Sequence, residues 1–468
     1  MLVERSAYDD ALLGHVRELG AQVIDHATVA NVATVENRIA GLVLDDGRCV
    51  VGRRYLDASG PAAVLARALG VGTHRVASLD HRMISGILGN ARGLEDPAFH
   101  VRMHVRTLPY GWVWVLPLSG DRLAFGVVVP AQVLDQAGSP ETLASRALAD
   151  HPDIASMTNG ANPLTSWRVD DATPTCAQRL VGENWLLCGG AAGISEPILM
   201  AELMLTHTTG REAGYTLAAL HMGLHDAGWL LQGYADKVRR HFDLHARLAQ
   251  LWYAGNRQMV EHAAGMQALA ASAGLKGNAQ HAWSWLMQGG FTATSLVQPQ
   301  VGSHDIGGAR ALVGMLTEGM PAPSIALQQF NVVKPNLVGA KQEYFVDFRA
   351  GAVHCTPCYV RDGRILPMIG VYERLLEALK RSTVLAEVLD DLRRTIQSVV
   401  PLANQGQALS RCIQALEAML QDGWLIAKHD HRRPIPRWTV NTPSPIRDLA
   451  STTRTQPEAE TTPKQAIR

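Results

Sequence analysis

A buried strand that runs directly into a turn of very small residues constrains this chain more than any other feature. The segment is NWLLCGGAAGISEP, over 184–197. A backbone that carries almost no side chains can approach a ligand closely. We expect a helix to begin near Ala191 and to direct its free N–H groups at an anion such as a diphosphate. A tight turn that binds nothing is the alternative, because glycine pairs are common in turns.

A second close approach of the backbone is predicted at YLDASG, over 55–60. Asp57 ends an apolar strand, and Gly60 follows three residues later. The alternative is that Asp57 or Ser59 caps the N-terminus of a helix.

Two tryptophans lie two residues apart in GWVWVLPL, over 111–118. Side chains at this spacing share one face of a strand, so Trp112 and Trp114 are expected side by side, with Pro117 limiting the strand. Paired indoles could line an apolar pocket and shield a reactive oxidant from water, or they could simply face the core.

In this order, the segments resemble the flavin-dependent halogenases, a branch of the flavoprotein aromatic monooxygenases. The family pattern is a V-x-R-x-x-F-D helix, a strand ending D-A-S-G, a W-x-W-x-I-P strand and then G-D-A-A-G-F-x-D-P. The likeness covers about residues 1–255. The matching segments here are VERSAYD (3–9), DASG (57–60), WVWVLP (112–117) and GGAAGISEP (189–197).

The resemblance implies an α/β fold: a FAD-binding, glutathione-reductase-like domain with an inserted antiparallel sheet that forms a substrate domain. The expected parts are a partial FAD-binding domain (1–75), the substrate sheet (76–180), the second FAD part with helices (181–255) and a mainly helical C-terminal domain (256–440). The family's FAD contacts fall on Arg5, Asp57, Gly60, Gly189, Gly190, Ala191 and Gly193, and its pocket residues on Trp112, Trp114, Pro117 and Pro197.

The chemistry that the resemblance implies is biosynthetic oxidation through a flavin C4a-hydroperoxide. A monooxygenase passes hydroxyl to an electron-rich aromatic or heteroaromatic substrate, whether free or carrier-bound. In a halogenase, a halide intercepts the hydroperoxide to give hypohalous acid, which a lysine relays to the substrate. A separate flavin reductase would supply the electrons, and the protein would hold the flavin and exclude water.

The chain departs from the family pattern at several points. We find no G-x-G-x-x-G turn before Val3, so the FAD-binding domain is expected to lack its first βα unit. Gly190 replaces an aspartate, ILMAE (198–202) replaces small residues beside the halide, and the first lysine is Lys237, in a KVRR segment expected on the solvent-exposed surface. These departures support an alternative function, a non-catalytic scaffold or accessory binding protein.

Composition limits the class of protein further. Apolar residues make up 47% of 468 residues, and Lys plus Arg equal Asp plus Glu at 43 each, which argues against a nucleic-acid binder. Six cysteines are expected to be reduced thiols. Without a signal peptide or an apolar run long enough to span a bilayer, we expect a cytoplasmic protein with no membrane contact.

The remaining segments give weaker signals. His221 with His225, and His241 with His245, have the i,i+4 spacing of metal ligands, yet no metal site is predicted because the HExxH glutamate is lacking. Cys355 and Cys358 form a CxxC without a second pair. The helices of 368–420, with LIAKH and RWTV as wing strands, could form a winged-helix module or a plain helical cap. The tail 441–468 is expected to be disordered.

Overall fold

The structure is a computed structural model, and it describes most but not all of the chain. The described residues are 5–94, 103–118, 120–199, 201–255, 300–301, 304–305, 326–349 and 351–436. The predicted tail, the strand RWTV (437–440) and most of 256–325 lie outside them. No helix of the described part is long and apolar enough to cross a membrane.

The chain begins with a helix and a three-stranded antiparallel meander. The pair Asp46-Gly47 is typical of a hairpin turn, and the turn is present, since the N–H of Gly47 bonds to Leu44 O and the next strand follows. The run AQVIDH (21–26) has the sequence pattern of a strand, but that prediction is wrong: these residues pair with no described strand, and His26 has a left-handed φ of 51°. The elements are α1 (Arg5–Glu18), β1 (Val29–Val35), β2 (Arg38–Leu44) and β3 (Cys49–Val50).

Short elements lead from the meander to the main sheet. The apolar strand before Asp57 and the helix after it were both predicted and are confirmed. A 3-10 turn over Gly60–Ala62 separates them. The elements are β4 (Tyr55–Asp57), α2 (Val64–Ala68) and β5 (Thr73–Arg75).

The antiparallel sheet predicted from alternating residues is present. Its main path runs β10-β6-β9-β8-β7, and β11 also pairs with β6. Ser139 caps α4 as predicted, because its side chain accepts the N–H of Thr142 at 3.1 Å. The elements are β6 (His81–Gly89), β7 (His104–Leu108), β8 (Gly111–Pro117), β9 (Leu123–Pro130), α3 (Ala131–Ala137), α4 (Pro140–Ala149), α5 (Pro152–Thr158), β10 (Asn162–Pro163) and β11 (Arg168–Asp171).

After the sheet, the chain returns to the side of β4. The new strand β13 pairs with β4 in parallel, with Leu187 opposite Asp57. Parallel pairing places the carboxyl ends of both strands at one edge, so the two bends that follow them are neighbours. The elements are β12 (Thr175–Ala177), β13 (Trp185–Leu187) and β14 (Gly193–Ile194).

Two long helices complete this part: α6 (Glu202–Met222) and α7 (Ala227–Gly255). Buried side chains recur along α7 at helical spacing and pack into the same core as β13. The core residues of α7 include Tyr234, Val238, Phe242, Ala249 and Tyr253.

The described C-terminal part combines three helices with strands. The helices predicted over 368–420 are confirmed and number three, and they pack in a core of their own around Trp424. The strand LIAK pairs with β17, which precedes the helices. The elements are β15 (Gln300–Val301), β16 (His304–Asp305), β17 (Val332–Pro335), β18 (Lys341–Arg349), β19 (Ala352–Arg361), β20 (Arg364–Pro367), α8 (Gly370–Arg381), α9 (Leu385–Val399), α10 (Leu402–Gln421) and β21 (Leu425–Lys428).

The β18–β19 hairpin packs against α6 and α7. Its residues Val346 and Phe348 belong to the core that contains β13. The contact is close because Gly233 of α7 has no side chain: a Cβ there would lie 2.0 Å from Val346 Cγ2.

Candidate functional site

The two predicted bends touch each other at the carboxyl ends of β4 and β13. A Cβ added to Gly190 would lie only 3.0 Å from Gly60 Cα. Gly60 and Gly189 both have left-handed φ angles, of 66° and 54°, which favour glycine. Two backbones thus meet with no side chain between them.

Asp57 organises the first bend from a buried position. Its Oδ1 accepts the N–H and the hydroxyl of Ser59, at 2.9 and 2.6 Å. Its Oδ2 accepts the N–H of Leu65 at 2.7 Å. The N-cap residue of α2 is Ala63, so neither Asp57 nor Ser59 holds that position, but the Asp57 carboxylate accepts an N–H of the first turn of α2.

The second bend is not the helix start that we predicted. Residues 189–191 form a 3-10 turn, β14 follows it, and the next α-helix begins only at Glu202. The N–H groups of Ala191 and Ala192 bond to the carbonyls of Cys188 and Gly189. The N–H of Gly189 bonds to Thr209 Oγ1 at 2.8 Å. The expected row of free donors at Ala191 is therefore wrong, because the turn satisfies these groups internally.

Gly193 serves packing within the protein. A Cβ there would lie 2.3 Å from the carbonyl oxygen of Thr175 and 3.0 Å from the ring of Phe242. The glycine is needed because β14 approaches β12 and α7 closely.

Arg5 lies near the N-terminus of α6. It forms an exposed ion pair with Asp9 at 2.9 Å. The hydrogen bond to Asp9 raises the pKa of Arg5, and the charge of Glu202 adds to that effect. One turn further along α6, Thr206 contacts Gly189, so α6 connects Arg5 with the second bend.

The two tryptophans share one face of β8 but differ in their surroundings. Trp112 is fully buried, and its Nε1–H donates to the hydroxyl of Tyr253 at 2.7 Å. Trp114 is partly buried and lies against Gly126 of β9, which has no side chain to displace it. Among the described residues, no partner accepts the N–H of Trp114. Trp112 is thus a core residue, and the indole N–H of Trp114 is buried against Gly126 without a described acceptor.

A buried carboxylate, that of Glu196, joins this arrangement. Tyr253 donates its hydroxyl to Glu196 Oε1 at 2.5 Å, and the N–H of Ile198 donates to Oε2 at 2.6 Å. Burial raises the pKa of Glu196 to about 7, although both hydrogen bonds lower it. In the sequence, Glu196 stands where the family pattern has an aspartate before proline, but nothing there indicated its contact with Tyr253.

The two candidate prolines occupy different settings. Pro117 ends β8 and pairs with Leu123. Pro197 begins a 3-10 turn directly after Glu196. Proline is suited to both positions because it fixes φ and donates no N–H.

Lys237 is buried, which corrects the expectation that it lies on the surface. It is 6% exposed, and burial lowers its pKa while the charges of Glu212 and Asp347 raise it. The hairpin that covers it follows more than a hundred residues later in the chain. Lys237 is also 16 residues from Tyr253, about 24 Å along α7. It is therefore remote from the tryptophan pair.

The histidines and the CxxC cysteines, which gave weaker signals in the sequence, have contacts within the fold. His241 Nε2 lies 3.2 Å from Glu212 Oε2, and His245 Nδ1 donates to His241 O at 2.7 Å. Cys355 is exposed whereas Cys358 is buried, and burial raises the pKa of the Cys358 thiol to about 11. No group of three metal-ligating side chains occurs in the described part of the chain.

Comparison with known proteins places the chain in a family. The family model for tryptophan halogenase matches residues 2–261. No curated protein matches the sequence.

Solved structures share the mixed α/β fold. CmlS, a flavin-dependent halogenase, is 15% identical over 94% of this chain and 81% of its own, with a TM-score of 0.64. The myxobacterial chondrochloren halogenase CndH is 18% identical over 68% and 75%, with a TM-score of 0.51. The flavin-dependent brominase Bmp2 is 20% identical over 53% of this chain, with a TM-score of 0.49, and the chain spans 64% of its length. Because the family model covers more than half of the chain, the protein belongs to the tryptophan halogenase family.

Proposed function

We propose that this chain is a FAD-dependent, halogenase-like enzyme that acts on an electron-rich aromatic or heteroaromatic substrate, free or carrier-bound. The observation that carries the proposal is the contact between the bends at Gly60 and Gly190, on strands joined in parallel. Ligands of open α/β sheets bind outside the carboxyl ends of such strands. A separate flavin reductase would supply the electrons.

FAD is the cofactor of this family, and the described residues fit one side of its site. The surface where the bends meet consists of backbone and glycine, so a flat ring system could approach it. Asp57 fixes the first bend through its three hydrogen bonds, and Gly60, Gly189 and Gly190 would form the surface. When bound, reduced flavin would supply the oxidising equivalent from dioxygen.

The open edge of β4 supports the proposal that a further βα unit completes the FAD-binding domain. Among the described strands, β13 is the one neighbour of β4, and Leu56 is 38% exposed. Parallel sheets are normally covered on both faces, and an unpaired strand edge readily accepts another strand. α1 has no fully buried residue, and Leu12 and Val16 on its apolar face are exposed. We propose that the added unit pairs with β4, covers this surface and carries the diphosphate-binding turn.

The chain's own residues would shape the substrate side. Trp112 is held by Tyr253, whereas the indole N–H of Trp114 is buried against Gly126 and has no acceptor among the described residues, so the pair would contribute apolar surface. The apolar sheet around them would exclude water. Lys237 would not relay an oxidised halogen to this place because it lies too far along α7.

The direct test is product mass. The protein, with any upstream-encoded extension included, is supplied with FAD, NADH, a flavin reductase and either bromide or chloride. A panel of phenols, indoles and pyrroles, free and carrier-bound, serves as substrate. We expect a halogen to replace a hydrogen; gain of one oxygen would instead assign hydroxylation.

A non-catalytic scaffold is the second candidate function. The observation that favours it is the internal bonding of the N–H groups in the second bend. Flavin released on denaturation distinguishes the two functions. A purified protein that releases no flavin, with and without an upstream extension, would contradict the enzyme and support the scaffold.

A further inference from the structure

Three buried side chains form a chain of hydrogen bonds that joins separate parts of the fold. The Trp112 indole on β8 donates to Tyr253 on α7, and Tyr253 donates to Glu196 beside the second bend. These residues are 141 and 57 positions apart in sequence. The tryptophan strand is thereby fastened to the segment that carries the glycine turn.

The tyrosine at the centre of this chain is held in one orientation. The ring of His81, on β6, stacks against it with a centroid distance of 4.5 Å and an angle of 14°. The phenol ring is therefore confined by packing, while its hydroxyl accepts from Trp112 and donates to Glu196.

We infer that Tyr253 and Glu196 are positioning residues that fix the indole of Trp112, and that proton uptake by Glu196 loosens this fixation. The inference rests on the proposed function for the catalytic consequence, but the hydrogen-bond chain itself does not. Neither residue would touch the reacting atoms.

Proton uptake would loosen the fixation of Trp112 because hydrogen-bond donors already face both oxygens of the Glu196 carboxyl group. Both oxygens of Glu196 accept a hydrogen bond, one from Tyr253 and one from the N–H of Ile198. A proton added to either oxygen must displace one of these donors or compete with it. If the proton sits on Oε1, Glu196 itself donates toward the phenol oxygen and competes there with Trp112.

The proton uptake falls in an accessible pH range. Burial raises the pKa of Glu196 to about 7, and the hydrogen bonds of Tyr253 and Ile198 lower it. Within the described residues, the titratable groups on this side of it are the Tyr253 phenol from α7 and, on the far side of that ring, His81 from β6. Burial also raises the pKa of Tyr253 well above its ordinary value, so this phenol keeps its proton throughout.

The test follows Trp112 by near-UV circular dichroism and tryptophan fluorescence of the full-length protein across neutral pH. We expect a transition with a midpoint near 7 in the wild type. Glu196→Gln and Tyr253→Phe should each abolish it, and Trp112→Phe should remove the signal. Tyr253→Phe keeps the ring that packs against His81, so it remains informative if Glu196→Gln does not fold.

A matched control lies on the same helix. Tyr234 is also fully buried, but its hydroxyl donates to the carbonyl of Leu187 instead. Tyr234→Phe should retain the transition. A transition that persists in Glu196→Gln or in Tyr253→Phe, in protein with unchanged far-UV spectra, would overturn the inference.

The second readout is the pH profile of product formation. We expect the wild-type rate to fall as pH drops through 7, and Glu196→Gln to give a flat profile about tenfold below the wild-type maximum, the effect of one charge-assisted hydrogen bond. An unchanged profile would contradict the inference. Failure of the proposed function is distinguishable, because a protein without activity would still show the spectroscopic transition.

Discussion

A single buried carboxylate determines the shape of the first bend. Asp57 satisfies two backbone N–H groups and one hydroxyl, and the N–H of Leu65 belongs to a buried residue. Buried donors that lose their acceptor carry the full cost of desolvation. Asp57 thus stabilises the fold as well as the surface proposed for the flavin.

We predict that Asp57→Ala lowers the free energy of unfolding by about 1.5–3 kcal/mol, because charge-assisted hydrogen bonds are lost and the buried N–H of Leu65 is left without its acceptor. Urea denaturation measures this change. Asp10→Ala, at an exposed position of α1, is the control and should change stability by less than about 0.5 kcal/mol. Equal effects of the two substitutions would show that Asp57 does not organise the bend.

At the level of whole elements, the contact between α7 and the β18–β19 hairpin depends on one missing side chain. Gly233 leaves the space that Val346 fills. Gly214, on α6, is also helical, but a Cβ there would meet nothing within 4 Å. The pair separates the steric effect from the helix propensity of alanine.

We predict opposite outcomes for these two glycines. Gly214→Ala should stabilise the protein by about 0.5–1 kcal/mol through helix propensity. Gly233→Ala should destabilise it by about 1–3 kcal/mol, because the new methyl group forces α7 and the hairpin apart. Thermal or urea denaturation measures both. A stabilising Gly233→Ala would refute the close packing.

Elements with a strong local pattern were predictable, and elements set by distant contacts were not. Alternation predicted the β6–β9 sheet, and Ser139 with Pro140 predicted the start of α4. The prediction of a helix near Ala191 was wrong because Gly193 pairs with Cys176 of β12 in a β-sheet. No local sequence pattern indicates this pairing.

Within the candidate site, the sequence located the bends and the tryptophans but not their partners. Tyr253 reaches Trp112 across 141 residues, and the hairpin that buries Lys237 follows much later in the chain. Helical periodicity identifies a buried face but does not reveal what covers it. Long-range pairing therefore had to come from the structure.

For the molecule as a whole, a buried histidine couples stability to pH. His245 is almost fully buried, and burial lowers its pKa from 6.5 to about 4. Between these values the unfolded chain binds a proton that the folded chain does not. Acidification therefore favours unfolding in this range, and the contribution is absent above pH 6.5.

We predict that His245→Leu resists acid better than the wild type does. At about pH 5 the relative gain over its effect at pH 7.5 should be about 2 kcal/mol, since each pKa unit corresponds to about 1.4 kcal/mol. Urea denaturation at the two pH values measures this. His221→Leu, at an exposed position of α6, is the control. The same pH dependence in both variants would contradict the prediction.

The length of α7 has a practical consequence for dividing the chain. One end of the helix meets Val346 at Gly233, and the other end carries Tyr253 to the tryptophan strand, about 30 Å away. A fragment that stops at residue 255 would keep the contact between Tyr253 and Trp112. It would lack Val346, which packs against Gly233, and Asp347, whose charge acts on the buried Lys237 together with that of Glu212. We expect such a fragment to give little soluble protein on expression. Residues 1–255 are therefore best produced together with the β18–β19 hairpin.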